Sequence, residues 1–281
     1  EITCGADLAN AVQRIRGLTG RATEGMIPFA HAAAEVEERG ICTEEEFCGP
    51  VAARLAHFAQ YIPWYLQDGL QVLAQGETNE VFLTRRQCAV IMAAALFAAV
   101  PDTDRGDCLV EGQAPRQLAD FDIGGLLDTD REKTFCLMAY YHSVATAGDA
   151  FLDQVVSFGR RSVEPPTHQF WMAFDLPLRE AIIDEGAAVD RAGVLQVLTA
   201  SEADVGSAVL AGCASTEEVM YLQRPECLVG RFVAQQLLSA EAVFITGAAQ
   251  YASCTGSGSC LVFEGPCKER PVERPDSLNR V

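Results

Sequence analysis

The stretch VGSAVLAGCASTEEV, residues 205–219, decides how the chain is read. Small residues dominate its first ten positions, and Glu217 and Glu218 then open an amphipathic run that reaches residue 223. This is the layout of a backbone loop feeding a helix N-terminus. Such a terminus can hold phosphate oxygens on its amides and set carboxylates at its rim. Ser215-Thr216-Glu217-Glu218 also fits a capping box, with Ser215 as N-cap and Glu218 at the third helical position. The box needs no function, because acidic residues in a first turn are favoured by the helix dipole anyway. Gly206-Ser207-Ala208 does not match a dinucleotide-binding glycine pattern, and no P-loop lysine follows it.

Outward from this stretch the second half reads as alternating strands and helices. Strands are expected at 155–158, 178–183, 194–198, 242–246 and 259–263. Helical material fills 217–238, broken at Pro225. The run AVFIT at 242–246 reads as a central strand buried on both faces. The tail, 264–281, reads as loop.

The first half reads as helical. Leu8, Val12, Ile15 and Leu18 recur at helical spacing. Thr43 caps a turn with Glu46 as its box partner, and Gly49-Pro50 is expected to interrupt it. Helices follow at 51–61 and 64–74, with Pro63 between them and Gly76 after them. Thr84 caps a strong helix over 85–100, closed by Pro101, and a loop covers 102–121. Thr129 or Asp130 caps a helix over 131–145. The expected division is a helical accessory region over 1–150 and an α/β region over 151–281.

Composition narrows the partners. The 281 residues are 49% hydrophobic and carry a net charge of −18, with no basic stripe. Sequence-specific nucleic-acid binding is therefore not expected, and an anionic ligand must be held by dipoles and backbone amides. The longest apolar run, 88–100, is too short for a bilayer, so no membrane partner is expected. The 11 cysteines include no C-x-x-C pair, and Cys254, Cys260 and Cys267 are loosely spaced without neighbouring histidines. No metal and no cofactor are expected from that spacing, and scattered thiols point to a reducing compartment. His142, on the 131–145 helix, reads as a packed or solvated residue rather than a base. No G-x-S-x-G elbow is present. A start at Glu1 without an apolar leader reads as a processed chain or a fragment, with no secretory signal.

The order of the pieces resembles the catalytic region of the poly(ADP-ribose) glycohydrolases. That family carries a GGG-then-QEE signature, a helix, a "PEL" turn, an "ITG" strand and a "QYS-x-Y-x-G" loop. Here these read Gly206-Ser207-Ala208, Thr216-Glu217-Glu218, Pro225-Glu226-Cys227-Leu228, Ile245-Thr246-Gly247, and Gln250-Tyr251 through Thr255-Gly256. Upstream, Thr84-Arg85-Arg86-Gln87 with ALFAAVP, and Lys133-Thr134-Phe135-Cys136, resemble two family helices. The likeness covers roughly residues 47–263.

The resemblance implies a macrodomain-like three-layer α/β/α sheet behind a helical region, incomplete at its C-terminal end. It implies hydrolysis of the ribose–ribose bonds of poly(ADP-ribose), on poly(ADP-ribosyl)ated proteins, inside the cell in nucleus or cytoplasm. Glu218 would be the general acid and Glu217 would hold a ribose hydroxyl. Gly206, Ser207, Ala208 and Val209, with Thr255, Gly256 and Ser257, would wrap the diphosphate. The sequence departs from the pattern at Ser207, Ala208 and Thr216. Thr199 and Glu202 stand where the family has Asp and Asn, and Ser257 where it has an aromatic. Two readings follow: a glycohydrolase, or a catalytically degenerate relative that binds ADP-ribose or acts as a scaffold.

Overall fold

The structure is a computed structural model that describes residues 2–21, 25–66, 70–99, 121–163, 167–173, 205–210, 212, 215 and 218–267. The expected strands at 178–183 and 194–198, residues 102–120 of the loop expected over 102–121, and residues Thr199, Glu202, Thr216 and Glu217 lie outside these.

Helix α1 (Gly5–Leu18) buries Leu8, Ala9 and Val12 against α2 (Ile27–Ala34). The two approach so closely that a Cβ at Gly5 would lie 2.8 Å from Ala33 Cβ and from the Ala30 carbonyl oxygen. Helix α3 (Glu44–Glu46) starts at Thr43, whose hydroxyl accepts the Glu46 N–H at 3.1 Å. Gly49-Pro50 does not interrupt the chain as expected. Phe47–Val51 forms a π-helical turn that runs into α4 (Ala52–Gln60). The wider turn accommodates Pro50, which has no N–H to give, and lets Phe47, Cys48 and Val51 bury. Helix α5 (Ile62–Tyr65) takes Pro63 in its first turn. The helix expected over 64–74 is not continued: residues 70–74 are non-helical, and Leu73 forms a bridge to Ala234 instead.

Strand β1 (Asn79–Thr84) leads directly into α6 (Arg85–Leu96). Thr84 and Gln87 form a reciprocal capping box at 3.1 and 2.9 Å. Residues 88–96 are all buried, as their apolar run implied. The end of α6 is held from outside: buried Arg16 donates to the Ala95 and Leu96 carbonyls at 3.0 and 3.2 Å. Carbonyls in the last turn of a helix lack their usual partners four residues on, and the Ala95 carbonyl otherwise takes only a tighter bond from the Ala98 N–H at 3.2 Å. Next come α7 (Gly124–Thr129) and α8 (Arg131–Thr146), where the Asp130 carboxylate accepts the Glu132 N–H at 2.8 Å. Helix α9 (Asp149–Leu152), strand β2 (Val155–Ser162) and α10 (His168–Ala173) follow. Beyond them lie α11 (Ser207–Leu210), α12 (Val219–Gln223), a 3-10 turn (Pro225–Leu228) and α13 (Val229–Val233). The described chain ends with β3 (Glu241–Thr246), β4 (Ala252–Thr255) and β5 (Val262–Pro266).

Strands β1, β2 and β3 form one antiparallel sheet in that order, with Val81 opposite Phe158 and Phe158 opposite Ile245. The AVFIT run is a strand, but among the described strands it pairs with β2 alone. Its burial alternates, so it is not the doubly buried central strand expected. Val243 and Ile245 pack toward the core, whereas Phe244 remains 41% exposed. Strand β4 pairs antiparallel with β5 in a separate two-stranded sheet. Residues Gly258–Cys260 form a 3-10 turn, so the last strand begins later than expected and extends to Pro266, into the segment read as loop.

A continuous hydrophobic core runs from α1 and α2 through α6 and α8 to α13, β4 and β5. Arg160 on β2 is wholly buried. It donates to the carbonyls of Leu73, Gln235 and Gln236 at 3.0, 2.7 and 2.7 Å and pairs with Glu241. One guanidinium thus ties the sheet to the segments that bridge at Leu73. No described helix is long and apolar enough to cross a membrane.

Candidate active site

The start of the signature stretch, residues 205–210, is a helical turn rather than an open loop. Leu210 N–H bonds the Gly206 carbonyl at 3.1 Å, making one helical turn, α11, in which Val209 and Leu210 are buried. The apolar pair turns inward against α7, leaving Ser207 and Ala208 half-buried. Gly206 has a φ of +65°, and a Cβ there would stand 2.8 Å from Leu228 Cδ2. Glycine is required by conformation, and a side chain there would also have to displace the Leu228 methyl.

The stretch is pinned at Gly212. Its φ is +86°, and a Cβ there would fall 2.8 Å from Thr129 Cβ. Its carbonyl accepts a 2.8 Å bond from Lys133 Nζ, and that buried ammonium also faces Asp130 at 3.3 Å. The buried cation of α8 therefore holds the backbone ahead of the glutamates through a carbonyl.

The reciprocal bonds of the expected capping box are present, although α12 begins at Val219 with Glu218 as its N-cap rather than at its third position. Ser215 N–H donates to Glu218 Oε2 at 3.1 Å, and Glu218 N–H reaches Ser215 Oγ at 3.4 Å. Glu218 is half-buried at the start of α12, and Ser215 engages one of its two carboxylate oxygens. Its charge, after burial and Cys227, helps push the Tyr221 phenol upward.

Helix α12 lies against β4, which ends at Thr255. Thr255 and Gly256 are exposed and Ser257 is half-buried. Gly256 has a φ of +71° and is pressed against the Cys260 carbonyl, so this turn also requires glycine. Behind it, Cys254 Sγ meets Cys136 Sγ of α8 at 3.3 Å. The described cysteines form no disulfide.

Beneath both loops lies a buried network that the sequence reading did not anticipate. Glu226 is fully enclosed. It accepts from Tyr251 Oη at 2.5 Å and from the Ala249 N–H at 2.8 Å, and Arg85 Nε stands 3.6 Å away. Arg85 also donates to the Gly247 carbonyl at 2.9 Å and lies over the Phe151 ring. Burial pushes the Glu226 carboxyl upward, against Arg85, Tyr251 and the Ala249 amide. Burial and the Glu226 charge raise the Tyr251 phenol, so Tyr251 serves as a neutral donor. Three of the quoted motifs, at 225–228, 245–247 and 250–251, are thus joined to Arg85 by one ionic cluster. Tyr251 N–H further donates to the Gln223 carbonyl at 2.8 Å, tying the end of α12 to it.

Comparison with known proteins gives matches to two domains of one family. The helical domain of poly(ADP-ribose) glycohydrolase matches residues 42–160, and its macro domain fold matches residues 168–280. The chain is similar to poly(ADP-ribose) glycohydrolase 1 of Arabidopsis thaliana, 24% identical over 222 residues, covering 77% of this chain and 39% of that protein. It is also similar to poly(ADP-ribose) glycohydrolase 1 of Caenorhabditis elegans, 28% identical over 218 residues, covering 74% of this chain and 25% of that protein. The chain thus spans well under half the length of either relative. Two consecutive domains of one family, matched in order across most of the sequence, place it: the chain belongs to the poly(ADP-ribose) glycohydrolase family.

Proposed function

We propose that the chain hydrolyses the ribose–ribose O-glycosidic bonds of poly(ADP-ribose), including polymer on modified proteins within the cell, and releases ADP-ribose. In this reading residues 1–150 are the helical region and 151–281 the macrodomain-like catalytic region. The observation that carries it is the Glu218 carboxylate. It stands at a helix start, is fixed on one oxygen by Ser215, and follows a backbone that Lys133 anchors at Gly212. Protonated Glu218 delivers its proton to the leaving ribose oxygen as positive charge develops at the anomeric carbon. As carboxylate it then takes a proton from the attacking water. A diphosphate lies on the amides of Gly206, Ser207, Ala208 and Val209 and on the turn at Thr255, Gly256 and Ser257. Glu217 orients a ribose hydroxyl and Glu202 borders the anion. The test is release of ADP-ribose from polymer by the intact chain, with Glu218→Gln as the control.

The second reading, an ADP-ribose-binding or scaffold protein, is favoured by one observation. Val209 is wholly buried and Gly206 sits under Leu228, which narrows the amide face a diphosphate can reach. Calorimetric titration with ADP-ribose separates the two: binding without turnover selects this reading.

A further inference from the structure

One corner of the helical half gathers three side chains that the proposed reaction does not use. Cys42 precedes the turn capped by Thr43, Glu46 ends α3, and His142 lies in the last turns of α8. The Cys42 sulfur, a Glu46 carboxylate oxygen and a His142 ring nitrogen all lie within 4.8 Å of one another. Glu46 Oε1 and His142 Nε2 are 3.2 Å apart. Two ligands each about 2.0–2.1 Å from one tetrahedral ion stand at nearly that separation, roughly 3.3 Å. Sulfur and nitrogen around the same ion stand about 3.5 Å apart, so the thiol closes the set by a small side-chain rotation. The His142–Glu46 hydrogen bond accounts for the approach of those two groups. It leaves the thiol beside them without a reason.

The surroundings suit a cation. The Glu46 carboxylate lies beside the Cys42 sulfur, and a divalent ion bound there would replace the thiol proton. All three groups are half-buried, sheltered from bulk water yet open to entry. Their backbones are held independently, Glu46 by the Thr43 cap and His142 within a sixteen-residue helix.

We propose that Cys42, Glu46 and His142 form a zinc-class divalent cation site. The ligands are a thiolate, a carboxylate oxygen and the neutral His142 Nε2, with the fourth position open to water. Binding releases the Cys42 proton to solvent and involves no change of oxidation state. The ion staples the start of α3 to α8, the helix whose Lys133 holds Gly212. Cysteine spacing could not reveal the site, because only one of its ligands is a cysteine and His142 is brought to it by the fold.

Cobalt(II) titrated into the intact chain should give a thiolate-to-cobalt charge-transfer band that saturates at one equivalent and is displaced by zinc. Cys42→Ser should abolish the band, and His142→Ala should weaken binding at least about tenfold. No band, or a band of full intensity in folded Cys42→Ser, overturns the site. A second measurement needs no substitution. Zinc should slow iodoacetamide alkylation of Cys42 at least about tenfold, read by peptide mass, while exposed Cys260 reacts unchanged. Equal Cys42 rates with and without zinc overturn the proposal as well.

Discussion

Tyr251 donates its phenolic proton to Glu226 across 2.5 Å, and both side chains are sealed from solvent. The bond joins the 3-10 turn after α12 to the segment entering β4. Arg85 closes the cluster from the start of α6, so three segments distant in sequence converge on one carboxylate. Breaking a buried pair costs more than the pair is worth, because the partner keeps its desolvation penalty.

Tyr251→Phe keeps the edge-on contact with the Tyr140 ring, 4.8 Å between centroids, and removes only the donor. We expect a loss of about 1.5–3 kcal/mol, the range for a hydrogen bond to a charged group. Glu226→Gln leaves Arg85 buried without a counter-charge and should cost about 3–5 kcal/mol. Urea unfolding of the two variants checks the order. A Tyr251→Phe variant as stable as the parent would remove the bond from the account of the fold.

The pinned loop gives a paired test. Gly40 and Gly212 both have left-handed φ, +70° and +86°. A Cβ at Gly40 meets nothing within 4 Å, whereas one at Gly212 runs into Thr129. Gly40→Ala should cost about 1–2 kcal/mol from backbone strain alone. Gly212→Ala should exceed it by about 1–3 kcal/mol, the range for overpacking. Equal losses in thermal or urea unfolding would mean that Thr129 gives way freely and that Gly212 is not clamped.

Local signals were legible where the chain settles its own hydrogen bonds. The Thr84 cap, the cap at Asp130 (one of the two residues expected there) and the Ser215–Glu218 bonds all stand where residue type and spacing put them. Strand β1 was missed because NEVFLT buries only Val81 and Leu83 and runs straight into a strong helix cap. The apolar Ala242 and Phe244 give AVFIT the pattern of a strand buried on both faces, yet both point away from the core. The π turn at Pro50 escaped because a helix breaker is tolerated when flanking residues bury. The Arg85–Glu226–Tyr251 cluster was out of reach for another reason. Its members are polar residues in separate segments, and only the fold makes them partners.

Acid should expose the second buried ion pair. Burial alone would raise Glu241, but bonds from Arg160 and from the Leu238 and Gly76 amides outweigh it and bring it to about 2. A carboxyl depressed in the folded state stabilises above its unfolded value, 4.5, and that stabilisation is lost as pH falls through about 2. The span corresponds to about 3 kcal/mol. Glu226 works oppositely, since a raised carboxyl favours the fold at low pH. The contribution of Glu241 is therefore read as the difference between the parent and Glu241→Gln. Stability measured from pH 6 to pH 2 should fall more steeply in the parent. Parallel curves would show that Glu241 titrates alike in both states.

The proposed acid carries a second duty, and substitutions can separate the two. Glu218 accepts the Ser215 N–H on Oε2 while its own N–H meets Ser215 Oγ. Gln at this position keeps the acceptor and the shape, because Gln also serves in a capping box. Glu218→Gln should therefore stay within about 0.5 kcal/mol of the parent, as for surface changes that spare the local bonds. Glu218→Ala loses the acceptor and should cost about 0.5–2 kcal/mol, the scale of a lost cap. On turnover the two should not differ: each removes the titratable proton, and each should lower poly(ADP-ribose) hydrolysis roughly a hundredfold or more. Parent-rate hydrolysis by Glu218→Gln would leave Glu218 as a capping residue and send the search for the acid elsewhere. An intact chain that binds ADP-ribose but releases none from polymer would transfer the weight to the binding reading. In that case Glu218→Gln should change ADP-ribose affinity only as much as one hydrogen bond, a few-fold, because a carboxamide still accepts where the carboxylate did.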